Sequence, residues 1–411
     1  MRRLFGRQTS HLHYFTRLIM RYGLTISFIM ASLLLGFTTL CAQSRNDLQP
    51  LANAGWDREG AARYLDERME VWFTNSKKLR TGETETRCVS CHTTVPYILA
   101  RPKLRQALRS SSAPQELRIV EETTRRVESY GSRQLLYDHT ESKKTESRGT
   151  EGVLDALILV TADVMQGRRE PSVPAQKALK QMWETQRTDG AWDWLDFGLE
   201  PFETVDGVYY GATLAALAIG NTPGSVSSRD QDTIAGIKRL RGYLKEKYAA
   251  QSLFNRTWLL LAAIRLDDLL TSAQKAALVA ELQARQRSDG GWAIGSLGGW
   301  RWSKASAPFR PPGTTEPSLL EKSDGYGTGL VVYALRQAGV PVNHTSVSKG
   351  LEWLRANQQD VEIEGHRWHA WRAHSLNFDR EHGGDKGEPW RRMFMSDSAT
   401  AFAVLALLAS E

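Results

Sequence analysis

A seven-residue phrase occurs twice in this chain, and it constrains the fold more than any other feature. Gln186-Arg187-Thr188-Asp189-Gly190-Ala191-Trp192 matches Gln286-Arg287-Ser288-Asp289-Gly290-Gly291-Trp292. Each copy follows an apolar helical stretch and leads through a loop into a second one. The second stretches also match: Tyr210-Gly211-Ala212-Thr213-Leu214 against Tyr326-Gly327-Thr328-Gly329-Leu330. A weaker third copy runs from Gly350-Leu351-Glu352-Trp353-Leu354 through Asn357-Gln358 to Trp368, and closes with Asp397-Ser398-Ala399-Thr400. The unit is a helix, a Gln-Asp-Gly-Trp turn, a loop and a helix. Asp-Gly supplies a turn residue that tolerates positive φ, and the indole covers the turn. A single hairpin of this kind cannot bury both faces, so stacked neighbours must form a curved or closed double layer.

Apolar residues at helical spacing extend this pattern over most of the chain. Helices are expected at 57–73, near 114–130, and at 153–165, 175–186, 208–219, 233–247, 253–266, 272–286, 326–339, 346–357 and 398–408. Alternating β-branched residues are nearly absent, so the expected fold class is all-α. Three segments are expected: 1–42 as a signal peptide or N-terminal anchor, 43–150 as an N-terminal helical segment, and 151–411 as the repeat body. The stretches following the turns (208–219, 326–339 and 398–408) are rich in Gly, Ala and Thr and are expected inside. Those leading into the turns carry more Lys, Arg and Gln and are expected outside.

The paired turns resemble those of the prenyltransferase and squalene-cyclase superfamily, over roughly residues 150–411. That resemblance implies an α/α toroid in which Gln186 and Gln286 bond to neighbouring backbone while Trp192 and Trp292 stack on the turn. The chemistries of the superfamily lack their residues here. Class II cyclases protonate an alkene with Asp-x-Asp-Asp, and the nearest match is Arg265-Leu266-Asp267-Asp268. The protein-prenyltransferase branch needs a zinc site that includes cysteine, and the repeat half has none. Terpene-cyclase activity is therefore not expected, and a fold alone assigns no activity.

Before the repeats lies Cys88-Val89-Ser90-Cys91-His92. Two thiols three positions apart suit addition to the two vinyl groups of one haem edge, and the adjacent histidine suits an axial position on the iron. One covalent haem c is the expected cofactor, held by Cys88 and Cys91, with His92 as the metal ligand. A small disulfide or a zinc site are the alternatives, the latter needing two further donors. For the sixth ligand Met69, Met165, Met182, Met393, Met395 or a histidine stay open, as does a five-coordinate iron.

The N-terminus agrees with this chemistry. Residues 1–23 carry five arginines and no acid, and the uncharged apolar run 24–42 ends in Cys41-Ala42-Gln43-Ser44. This pattern is that of a secretion signal, with an uncleaved anchor as the alternative. Export to the periplasm is the expected localisation, where haem c attachment takes place. Those five arginines make up most of the formal net charge of +7, so the remainder carries no charge signature for nucleic acid.

Two further clusters call for comment. His366, His369 and His374, with His382 beyond, gather in one window, and His366 and His369 at i, i+3 would share a face of a helix. They are either a polar loop or a site for a metal, haem propionates or substrate. Asp206, Asp324 and Asp397 each precede or open an apolar helix, and N-capping is the default role. The expected function is that of an exported monohaem c-type cytochrome-like protein that transfers electrons to a redox protein partner. The alternative is a haem-dependent enzyme or binding protein for an isoprenoid-like apolar small molecule.

Overall fold

Helices dominate the computed structural model, which describes residues 55–224, 231–300, 321–363, 366–377 and 389–411. Among the described residues there are twelve α-helices. The first six are α1 (Arg58–Asn75), α2 (Thr94–Leu108), α3 (Pro114–Glu128), α4 (Glu141–Met165), α5 (Val173–Glu184) and α6 (Gly207–Asn221). The others are α7 (Gln231–Lys247), α8 (Leu253–Ala263), α9 (Ser272–Ala284), α10 (Gly325–Gln337), α11 (Thr345–Ala356) and α12 (Phe394–Leu408). Two small antiparallel hairpins interrupt them: β1 (Lys78–Thr81) with β2 (Thr84–Arg87), and β3 (Gln359–Ile363) with β4 (His366–Ala370).

Local sequence explains the helix starts. Asp57, Ser172, Ser252 and Thr271 accept first-turn N–H groups of α1, α5, α8 and α9. Gln274 returns a bond to the Thr271 N–H, completing a capping box. Helix α2 went unexpected because Pro96 and Pro102 break its pattern, and its exposed face carries Lys103 and Gln106.

The helices sort by burial. Nearly every residue of α6 and α12 is buried. By contrast α5 buries only Ala175, Ala178 and Met182, and α9 only Leu278 and Leu282. The stretches expected inside are thus mostly buried, and those expected outside bury few residues. Packing follows one order: α2 on α4, α4 on α6, α6 on α8, α8 on α10, α10 on α12, and α12 back on α2. Helices α1, α7, α9 and α11 lie against α2, α6, α8 and α10 respectively, while α3 and α5 both lie against α4. Residues Trp56–Glu411 form one compact unit, and the anticipated segment boundary at residue 150 falls inside α4.

The turns reveal the repeat at atomic level. The Nε1 of Trp192, Trp292 and Trp371 donates to the carbonyl of Met182, Leu282 and Leu354 respectively, each at 2.7 Å. Each carbonyl lies four residues before Gln186, Gln286 or Gln358. The third tryptophan is therefore Trp371, not Trp368: the β3–β4 hairpin lengthens the third turn and displaces it. Trp368 Nε1 instead donates to Glu67. The glutamines also correspond. Gln186 Nε2 donates to the Gly190 and Gly236 carbonyls, and Gln286 Nε2 to those of Gly290 and Ser346. Gln358 Nε2 reaches the carbonyls of Asp57 and His369. The first two glutamines thus grip the next surface helix, α7 or α11, and the third grips the start of α1.

Candidate functional site

The cysteine motif sits where β2 gives way to α2, and Ser90 organises it. Ser90 Oγ accepts the N–H groups of Thr93 (3.2 Å) and Thr94 (3.0 Å), while Thr94 Oγ1 accepts the Ser90 N–H. This reciprocal cap turns Cys91, His92 and Thr93 into the approach to α2. Cys88 stays outside the turn, fixed by its own N–H donating to the Lys77 carbonyl and by Trp72 Nε1 donating to its carbonyl at 2.7 Å. Both cysteines are free thiols. Cys88 is half-buried and Cys91 is buried. Burial pushes the Cys88 thiol up to about 11, against the opposing pull of the Arg126 guanidinium. Burial, aided by the Glu203 carboxylate, pushes Cys91 up as well. Neutral thiols, rather than thiolates, are the favoured form in the folded chain.

His92 is enclosed by aromatic rings from α1, α12 and the segment between α5 and α6. Phe394 of α12 stacks on the imidazole at 3.7 Å with the planes 16° apart, and Trp72 of α1 meets it edge-on at 5.2 Å. Phe202 lies 6.5 Å away and leads inward to Tyr210, Phe254 and Tyr326. Trp258 and Phe402 continue this aromatic column. An aromatic column thus runs inward from the motif, with Tyr210 and Tyr326 near Cys91. A cavity of about 150 Å³ lies beyond it, lined by Leu99, Leu217, Leu261 and Phe402, with Lys103 and Arg265 among its polar lining.

Polar contacts anchor the motif to the last helix. His92 Nδ1 lies 2.9 Å from Thr93 Oγ1, and Thr93 Oγ1 donates to Asp397 Oδ2 at 2.7 Å. Ser398 Oγ donates to the His92 carbonyl at 2.9 Å. Asp397 also pairs with Arg68 of α1 at 2.7 Å, both side chains being about 2% exposed. A second buried group of charges lies near Cys88. Arg126 Nη2 donates to Glu151 at 2.6 Å and Arg133 Nη1 to Asp155 at 2.7 Å, tying α3 and the following loop to α4. Removing one partner of such a pair leaves an uncompensated buried charge, whereas intact pairs hold elements in one arrangement.

The three acids behave differently from one another. Asp324 caps α10 as expected, accepting from Tyr326 and Gly327, and also receives the Ile294 N–H at 2.6 Å. Its burial pushes the carboxyl up to about 6, although those bonds and the His374 charge oppose the shift. Asp206 occupies the cap position of α6 without capping through its side chain. Asp397 lies within the first turn of α12 and serves Arg68 and Thr93 instead. The histidine window is also redistributed. His366 and His369 belong to β4, so the helical i, i+3 spacing does not apply. His369 Nδ1 faces Asp57 at 3.2 Å, and His382 lies outside the described residues.

The candidate sixth ligands are dispersed. Met69 and Met182 are buried in α1 and α5, Met165 lines the cavity, and Met393 and Met395 flank the stacked Phe394. Among the described residues no three or more His, Cys, Asp or Glu side chains gather as a metal-binding group, and no helix is long and apolar enough to cross a membrane. The candidate signal at 1–42 lies outside the described residues. Spacing pointed to Cys88, Cys91 and His92, but not to Trp72, Thr93 and Phe394 around them. No protein-family model matches this chain. No curated protein matches it in sequence.

Proposed function

We propose that this chain is an exported protein carrying one covalent haem c, and that it transfers single electrons to and from a redox protein in the periplasm. Cys88 and Cys91 would hold the haem through thioethers, and His92 would bind its iron. The donor set fits this group. Neither cysteine is in a disulfide, so each keeps the S–H that adds across a vinyl bond to form a thioether. The observation that carries the proposal is the placement of His92 directly after them, with Nδ1 turned to Thr93. A ring held through Nδ1 presents Nε2 as its ligating nitrogen. When bound, such a haem supplies an iron that cycles between its ferrous and ferric states. The protein's share is to orient His92 and to keep water from it with Trp72, Phe202 and Phe394. The positively charged leader supports export.

The order of helix packing supports a closed α/α toroid as the body of this protein, the fold that its turns resemble. On that view α1 and α2 are part of the circuit, and the cysteine motif is built into it rather than appended. The alternative of an isoprenoid-like apolar ligand draws support from the cavity between Leu99, Leu217 and Phe402. It shares Lys103, Met165, Tyr333, Gln337 and Leu405 with a neighbouring cavity of about 430 Å³, and neither is lined by Cys88, Cys91 or His92, on which the electron-carrier reading rests.

A pyridine haemochrome spectrum tests the proposal directly, on protein produced with a haem c maturation system. A c-type spectrum and haem retained on a denaturing gel are expected, and both should vanish in a Cys88→Ala, Cys91→Ala double variant. Protein that matures in that system without retaining haem would exclude the assignment.

A further inference from the structure

We infer that Thr93 and Asp397 form a positioning relay that holds a proton on His92 Nδ1, so that the neutral ring carries its lone pair on Nε2. The consequence for iron rests on the haem assignment above; the relay itself follows from proton accounting.

Asp397 is paired with Arg68 and accepts at both oxygens. Oδ1 receives Arg68 Nε at 2.7 Å and the Tyr64 hydroxyl at 3.0 Å. Oδ2 receives the Thr93 hydroxyl at 2.7 Å and Arg68 Nη2 at 3.2 Å. These four donors use the roughly four lone-pair sites of a carboxylate, which has no hydrogen to give back. The single Thr93 hydrogen must therefore point at Asp397. Thr93 then offers His92 only a lone pair, at 2.9 Å, so the hydrogen between them belongs to Nδ1.

The ring cannot readily turn away from this bond. Phe394 stacks on one face and Trp72 abuts its edge. Its backbone is held too, since Ser398 donates to the His92 carbonyl. A carboxylate behind a hydroxyl behind an imidazole N–H raises the electron density of the ring and fixes its orientation, as outer-shell partners of ligating histidines do. Thr93 directly follows the motif, and Asp397 lies 304 residues further along the chain. Thr93 and Asp397 are positioning residues in this scheme. They act through His92.

The test has two arms on the full chain. In protein made without haem attachment and labelled with ¹⁵N-histidine, the His92 nitrogens report the tautomer. Wild type should show a protonated Nδ1 and a pyridine-type Nε2. Thr93→Val, which keeps the shape and removes the hydroxyl, should lose that preference, and Thr93→Ser should restore it. In the haem-loaded protein, Thr93→Val should keep its haem and shift the midpoint potential upward, while Thr93→Ser should stay near wild type. A wild-type ring protonated at Nε2, or a Thr93→Val potential equal to that of wild type, would overturn the relay. Failure of the chain to take up haem would instead sink the haem assignment, and the nitrogen spectrum would still decide the tautomer.

Discussion

Asp57 and Gln358 exchange two hydrogen bonds across 301 residues: the Asp57 N–H donates to Gln358 Oε1, and Gln358 Nε2 donates to the Asp57 carbonyl, both at 2.8 Å. This exchange joins the third turn to the first described helix, in the place where the other two turns grip their successors. Replacing Gln358 with Ala should destabilise the protein by about 1–3 kcal/mol, because the Asp57 groups lose their partners in a half-buried site. A urea titration monitored by tryptophan fluorescence checks this. A midpoint unchanged from wild type would show that the contact contributes nothing to stability.

Two glycines with positive φ separate conformational strain from steric fit. Gly190 has φ 98°, and a Cβ there would lie 2.2 Å from the Arg239 carbonyl oxygen. Gly167 has φ 69°, with open space around it. Gly167→Ala should cost only the ~1–2 kcal/mol of a left-handed residue. Gly190→Ala should cost clearly more, since backbone of α7 must move. Thermal melts of the two variants should rank them in that order, and equal losses would mean the turn yields freely.

The pH dependence of stability carries the mark of Asp324. Its carboxyl titrates near 6 when folded, against an ordinary value of 3.8. A raised carboxyl pKa means that the native state holds a proton the unfolded chain has released. The associated stability is complete below about pH 4 and declines as pH rises to 6. Wild type should therefore lose stability across this window relative to Asp324→Asn, which cannot titrate. The gap between them should change by on the order of 2 kcal/mol, one pKa unit being worth about 1.4 kcal/mol. Parallel stability curves for the two proteins from pH 4 to 6 would rule out a raised Asp324 carboxyl.

Thiol reactivity should report the burial of the motif. In protein produced without haem attachment, a thiol reagent at pH 8 should modify Cys88 slowly and Cys91 hardly at all, because burial favours their neutral, unreactive form. Both should react at once in guanidinium. Rapid modification of Cys91 in the native protein would mean that the packing over it opens readily.

Much of this molecule was legible because helical periodicity and turn chemistry are local signals. The helices near 57–73, 208–219 and 398–408 lie close to where apolar spacing put them, and the first two turns were identified residue by residue. Spacing assigns the third to Trp368, because nothing local marks the β-hairpin that lengthens this turn and gives the equivalent bond to Trp371. Helix α2 was concealed by its prolines. Cys88, Cys91 and His92 are conspicuous by spacing alone. Their surroundings are not, because Phe394 and Asp397 lie some three hundred residues away and pairings at that distance leave no local periodicity. Asp397 was read as a cap for the same reason: nothing in its neighbourhood announces Arg68.

The pairing of Arg68 with Asp397 also sets a condition on folding. The two residues lie 329 positions apart. A collapse that buried Arg68 without Asp397 would leave a cation among apolar side chains with no counter-charge, at a cost of several kcal/mol. The packing of α1 is thereby tied to that of α12, and segments far apart in the chain commit to the native arrangement together.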